Sequence, residues 1–98
     1  MKFLKLGEVG VVDVSKICSM LTLKVPQDID NPDSKMISFV KIDLDCGTHV
    51  PVVCENVEAT CQAFAKLIDF WINPKEGLTP IEDIIGFIPK GFQVFEGK

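Results

Sequence analysis

The sequence contains no arginine, so all ten of its basic side chains are lysines. They are outnumbered by 14 aspartates and glutamates, which gives a formal net charge of −4 at pH 7. Arginine is the side chain best shaped to grip phosphates and guanine edges, and its absence removes that means of recognition. A protein with net negative charge is also repelled by the phosphate backbone. The composition therefore argues against direct nucleic-acid binding.

Long apolar runs are missing as well. No stretch approaches the roughly 18 consecutive apolar residues that a membrane-spanning helix needs. Lys5 and Glu8 interrupt the apolar residues at the start of the chain, which is unlike the continuous apolar core of a signal peptide. We therefore expect no membrane association and predict a cytoplasmic location.

The four cysteines form no C-x-x-C pair, and we expect reduced thiols; they are Cys18, Cys46, Cys54 and Cys61. Together with His49, the last three follow a spacing that matches no common zinc motif. His49 is the only histidine, and no further group is evident that would orient it as the base of a cysteine nucleophile. We predict no enzyme, no cofactor and no metal, and we interpret the thiols as small apolar residues.

What is present indicates a single α+β domain over residues 1–98. Five segments alternate or run apolar like strands: Phe3–Leu6, Val11–Val14, Ile17–Val25, Met36–Leu44 and His49–Cys54. They predict a small antiparallel β-meander. Asp43 and Asp45 share one strand face in this interpretation, and we assign them to a solvated outer face.

One main amphipathic helix follows the meander, with Asn56 as its N-cap and Asn73-Pro74 as its end. Its apolar stripe consists of Val57, Cys61, Phe64, Ile68 and Trp71, widened by Leu67 and Ile72. Residues 74–98 form a C-terminal extension. Within it, Thr79-Pro80-Ile81-Glu82 has the form of a capping box and predicts a short helix, and Phe92–Phe95 predicts a last strand.

The clearest loop is acidic and spans residues 26–35, with Asp28, Asp30 and Asp33 spaced through it. It lacks the glycine and the closing glutamate of a calcium-binding EF-hand loop. We interpret it as a solvated protrusion and as the first candidate binding surface, because loops on a rigid scaffold often carry binding.

The C-terminal extension is the second candidate surface, because it contains Phe87, Phe92 and Phe95 close together. If these rings are exposed, they form an apolar patch of the kind that marks association surfaces. If they are buried, they complete the core. The sequence leaves both interpretations open.

The layout of the first 70 residues resembles the small FlbD-like flagellar accessory proteins. The resemblance rests on FLKL, the VDVSKI segment, a strand ending in DLDCGTHVPVV and a helix opening ENVEAT. It implies a meander-plus-helix fold and a non-enzymatic accessory role, while the acidic loop and the chain after Pro74 depart from the pattern.

Three hypotheses of function follow. The first is a non-catalytic protein-interaction or regulatory module, an accessory protein of phage or mobile-element origin that modulates a host system and self-associates through its last strand. The second is a small-molecule or nucleotide-binding module with its pocket at a dimer interface, in which lysines serve an anionic ligand: Lys2, Lys5, Lys16 and Lys24. The third, a Cys/His enzyme or zinc site, is the least favoured.

Overall fold

The computed structural model describes residues 1–94 and arranges the strands in two three-stranded sheets. The strands are β1 (Lys2–Leu6), β2 (Gly10–Asp13), β3 (Ile17–Pro26), β4 (Met36–Leu44), β5 (His49–Cys54) and β6 (Gly77–Pro80). The helices are α1 (Val57–Ile72) and α2 (Ile81–Ile85), and a single 3-10 turn, Val14–Lys16, separates β2 from β3. The predicted fold class is confirmed: a small α+β fold in which the β3-β4-β5 meander packs against α1.

The first sheet has the order β2-β1-β6, with β1 antiparallel to β2 and parallel to β6. Alternation along β1 buries Leu4 and Leu6 and exposes Lys5. The turn into β2 requires a glycine, because Gly7 has a φ of +53° and the ring of Phe92 lies 3.3 Å from where a Cβ would stand.

The second sheet is an antiparallel meander of order β3-β4-β5. Val40 and Ile42 of the central strand are fully buried on the face toward the helices, and Phe39 is buried on the opposite face. Side chains on both faces of β4 are therefore buried over part of its length. A β-bulge interrupts the pairing of β3 with β4 between Ile17 and Ser19.

Both sheets and both helices contribute to one core. Its fully buried residues include Leu4, Val52, Leu67, Ile81 and Ile85. Residues 74–94 therefore supply part of the core through α2, which lies C-terminal to the main helix.

The predicted stripe of α1 is confirmed in part, since Leu67 is fully buried and Phe64, Ile68 and Trp71 are partly buried against the core. The most buried face lies part of a turn away and adds Thr60, Ala63 and Phe70. Val57, Cys61 and Ile72 are exposed, so their assignment to the stripe, and the interpretation of Cys61 as a small apolar core residue, are wrong. Asn56 does cap the helix, since its side-chain oxygen accepts a hydrogen bond from the N–H of Ala59 at 2.8 Å.

Two predictions about the C-terminal extension need correction. Thr79 belongs to β6 rather than to a capping box, and α2 begins at Ile81 without a side-chain cap. No strand forms over residues 92–94, and Phe95 lies outside the described residues. Instead, Gly91 forms an isolated antiparallel bridge with Val53 of β5.

Candidate functional site

The acidic loop and the C-terminal segment, predicted separately as binding surfaces, border the same surface cleft of about 730 Å³. One wall is formed by Asp28, Ile29 and Asp30, and the other by Lys90, Gln93 and Val94. The end of β5 contributes the floor, with Val53, Cys54 and Glu55.

The acidic loop is ordered by hydrogen bonds within itself. The side chain of Asp28 accepts from the N–H of Asp30 at 3.0 Å, and that of Asn31 accepts from the N–H of Asp33 at 3.1 Å. The hydroxyl of Ser34 accepts from the N–H of Asp28 at 3.0 Å. Such local Asx turns satisfy the backbone without a helix or sheet. The loop therefore presents a defined surface although its side chains are exposed.

Backbone hydrogen bonds attach the opposite wall to the sheet. The N–H of Val53 donates to the carbonyl of Gly91 at 2.9 Å, and the N–H of Lys90 donates to the carbonyl of Val53 at 2.8 Å. Pro89 is buried beside this contact. The C-terminal segment thus covers the outer edge of β5 at Val53.

The cleft combines carboxylates with exposed apolar surface. Asp28, Asp30 and Glu55 contribute negative charge, against Lys35 and Lys90. Ile29 stands at the tip of the acidic wall with 75% of its surface exposed. An isoleucine among solvated aspartates is the signal in the sequence that could have identified this position in advance.

The predicted site residues divide between the cleft and the core. Asp28 and Asp30 line the cleft, whereas Asp33 lies in the same loop outside it. Phe87 and Phe92 are half-buried and pack against the core, so for these two rings the structure favours the interpretation that they complete the core. Phe95 lies outside the described residues. Sequence reasoning missed Ile29, Glu55, Lys90 and Gln93.

The thiols and the histidine are dispersed. Burial raises the pKa of the Cys54 thiol, which disfavours the reactive thiolate. Cys46 is exposed in the turn between β4 and β5, where hydrogen bonds from Thr48 lower the pKa of its thiol. Among residues 1–94, no three His, Cys, Asp or Glu side chains are grouped so that they could hold a metal ion.

The lysines considered for an anionic ligand face different surroundings. Lys2 lines a cleft of about 520 Å³ beside Trp71, together with the carboxylates of Asp13 and Glu76. Lys24 lines a separate cleft of about 180 Å³ between β3 and α1. Lys2 and Lys24 therefore line different clefts of the single chain.

Asp43 and Asp45 do not share a strand face as predicted, because Asp45 lies outside β4. Asp45 follows the end of β4 and lies 3.9 Å from Lys16. Asp43 is half-buried and accepts a hydrogen bond from the hydroxyl of Ser19 at 2.7 Å. That hydrogen bond, supported by the ammonium of Lys41, holds the pKa of Asp43 below its ordinary value.

Replacing Ser19 by alanine is expected to raise the pKa of Asp43 toward its ordinary value. A carboxyl group whose pKa is lowered by folding contributes stability above its unfolded pKa, and that stability is lost as the pH falls through the folded pKa. The variant should therefore lose less stability than the wild type between neutral and acid pH. NMR titration of the side-chain carboxyl carbons measures the pKa directly.

Ser15→Ala is the matched control, because Ser15 donates to Asp13 instead, at 2.8 Å. It should raise the pKa of Asp13 and leave that of Asp43 unchanged. An unchanged pKa of Asp43 in Ser19→Ala would contradict the assigned cause.

Within residues 1–94, no helix is both long enough and apolar enough to cross a membrane. Comparison with known proteins finds no matching family model, no matching curated protein and no matching solved structure. The resemblance to FlbD-like proteins accordingly stays a prediction.

Proposed function

We propose that this chain is a non-catalytic protein-interaction module that binds a segment of a partner protein in the cleft between the acidic loop and the C-terminal segment. In this proposal it acts in the cytoplasm as an accessory or regulatory protein. The observation that carries the proposal is the convergence of both predicted surfaces on one cleft with an exposed isoleucine at its rim.

The construction of the cleft favours binding. Its two walls are held by backbone and side-chain hydrogen bonds in the free chain, so little conformational entropy is lost when a partner docks. An ordered surface that presents apolar and charged groups together is typical of sites that recognise protein segments.

The charges of the cleft indicate the chemistry of the partner segment. Three carboxylates against two ammonium groups favour a segment that carries lysine or arginine. Ile29 requires an apolar side chain opposite it, because an exposed isoleucine gains most from contact with another apolar group. We therefore expect an apolar anchor flanked by basic residues.

Selection from a random peptide display library on the immobilised chain tests this. We expect enriched peptides that pair an apolar anchor with nearby lysine or arginine. Ile29→Lys is expected to weaken their binding by about tenfold or more, because it removes the apolar contact and introduces an ammonium group that repels the basic residues of the peptide. Titration of a labelled enriched peptide against each variant measures the loss.

Ile72→Lys is the matched control, since Ile72 is 74% exposed at the end of α1 and does not line the cleft. It should bind the peptide like the wild type. Equal binding by Ile29→Lys and Ile72→Lys, or a selection that enriches no peptide class, would contradict the proposal.

A further inference from the structure

The two edges of the β3-β4-β5 sheet differ in whether another part of the chain covers them. The outer edge of β5 is covered where Val53 bonds to Lys90 and Gly91. At the other edge, no strand within residues 1–94 pairs with the outer side of β3, which is ten residues long. A long open edge is a template for pairing with another chain.

The hydrogen-bond alternation identifies which groups face outward. The N–H of Gln27 donates to the carbonyl of Lys35 at 2.7 Å, which marks these two residues as a hydrogen-bonded pair. Hydrogen-bonded and non-hydrogen-bonded pairs alternate along an antiparallel ladder. Counting back from Gln27 in steps of two, the N–H and carbonyl groups of Val25, Leu23 and Leu21 therefore point to β4. The residues between them direct their N–H and carbonyl groups away from the sheet: Met20, Thr22 and Lys24.

The side chains beside this edge are largely uncharged. Leu21 and Leu23 are exposed on the sheet face that α1 does not cover. Thr22 and Lys24 lie on the other face, in the small cleft beside Val57 and Cys61 of α1, which are both exposed. Apolar side chains therefore flank the open backbone groups on both faces.

We propose that a second copy of this chain pairs antiparallel with β3 along this edge, around a two-fold axis at Thr22. Thr22 then pairs with Thr22 of the partner subunit, and Met20 pairs with Lys24 of the partner subunit. Within each of these pairs, the outward N–H of either residue donates to the outward carbonyl of the other. Leu21 meets Leu23 of the partner subunit on the uncovered face.

Charge favours an axis at Thr22 over one at Lys24, and it favours a second copy as the occupant. An axis at Lys24 would place two ammonium groups directly opposite each other, which is unfavourable, whereas an axis at Thr22 opposes Lys24 with methionine. Lys16 comes immediately before β3, and the acidic loop begins immediately after it. Antiparallel pairing therefore brings Asp28 beside Lys16 of the partner subunit, so the ends of the strand are complementary in charge to a second copy of themselves.

The paired segment has defined ends and cannot extend further. At each end Pro26, which has no N–H, lies opposite the β-bulge at Cys18 of the partner subunit. The opposite edge of each sheet is covered by the C-terminal segment. A two-fold contact between the β3 edges of two copies uses the same edge of each copy, so it closes as a dimer rather than extending as a fibre. The sequence placed self-association at a last strand near Phe92, and the inference moves it to β3. The inference does not depend on the proposed peptide cleft, with which it shares only Asp28.

Sedimentation equilibrium of the full chain, at several concentrations and two ionic strengths, tests the proposal. We expect a monomer–dimer equilibrium that weakens at high salt, because the contacts between Lys16 and Asp28 are exposed. Thr22→Pro removes an outward N–H from both strands at the axis and should raise the dimer Kd by about tenfold or more. Proline is tolerated there because that N–H makes no bond to β4.

Thr22→Ala is the matched control, since it keeps the N–H, and it should dimerise like the wild type. Circular dichroism of both variants verifies that each is folded. In the wild type, the amide of Thr22 should exchange with solvent slowly in the dimer and faster on dilution.

A wild type that stays monomeric throughout would overturn the proposal. So would a dimer that Thr22→Pro leaves intact, which would place the interface elsewhere. Protection of the Thr22 amide only on addition of another protein would show that β3 pairs with a different chain, and would equally overturn it.

Discussion

Replacing Ile81 by alanine is expected to lower the free energy of unfolding by about 2–5 kcal/mol, a large part of the stability of a small domain. Ile81 is the first residue of α2 and is fully buried in the core shared by the two sheets and both helices. The truncation removes apolar contact and leaves a cavity that close-packed neighbours fill only in part. Urea denaturation followed by circular dichroism measures the loss.

Ile88→Ala is the control for this prediction. Ile88 has the same side chain in the same C-terminal part of the chain but is 84% exposed, so its truncation should change stability by no more than about 0.5 kcal/mol. Equal effects at the two positions would mean that residues after Pro74 do not belong to the core.

The second large effect is expected at Leu67 in the middle of α1. Leu67→Ala should cost about 2–5 kcal/mol, because Leu67 is fully buried against the sheets. The same urea titration applies, and the slope of free energy against denaturant should stay unchanged if only stability is affected.

Ile72→Ala is the comparison within the same helix. Ile72 belongs to the stripe predicted from the sequence, yet it is exposed, and its truncation should be close to neutral. A larger loss at Ile72 than at Leu67 would contradict the observed burial of Leu67 and exposure of Ile72.

The sequence predicts the main elements because each carries a local signal. The alternation of Met36–Leu44, the proline- and aspartate-rich loop and the N-cap at Asn56 depend on neighbours in the chain. The face of α1 could not be predicted equally well, because apolar residues occupy more than half of its circumference. The buried face includes the small side chains of Thr60 and Ala63, and hydrophobicity alone does not identify small residues as buried.

The strand β6 carries no comparable signal. It consists of Gly77-Leu78-Thr79-Pro80, which contains two poor strand formers, and its leucine is exposed. It is a strand only because its backbone pairs with β1 from the opposite end of the chain. Contacts of this kind are set by the tertiary fold and are invisible to local patterns.

In the candidate site too, local sequence signals predict some residues, and the tertiary fold positions the others. Asp28 and Asp30 were recognisable as parts of an exposed loop. The opposite wall was not, because Lys90 and Gly91 acquire their position from hydrogen bonds to Val53 of a distant strand. Phe87 and Phe92 drew attention as an apolar group, and packing against the core accounts for both.

The parallel pairing of β1 with β6 also affects how the chain folds during synthesis. The hairpin of β1 and β2 is made before β6, so Phe3 finds its partner Leu78 only after the residues between them have been synthesised. Until then the other side of β1 is an unpaired edge beside Leu4 and Leu6, whose core partners in α2 are also still missing. Contacts between residues so far apart in sequence form slowly, so this edge stays open for longer than the edges inside the β3-β4-β5 meander.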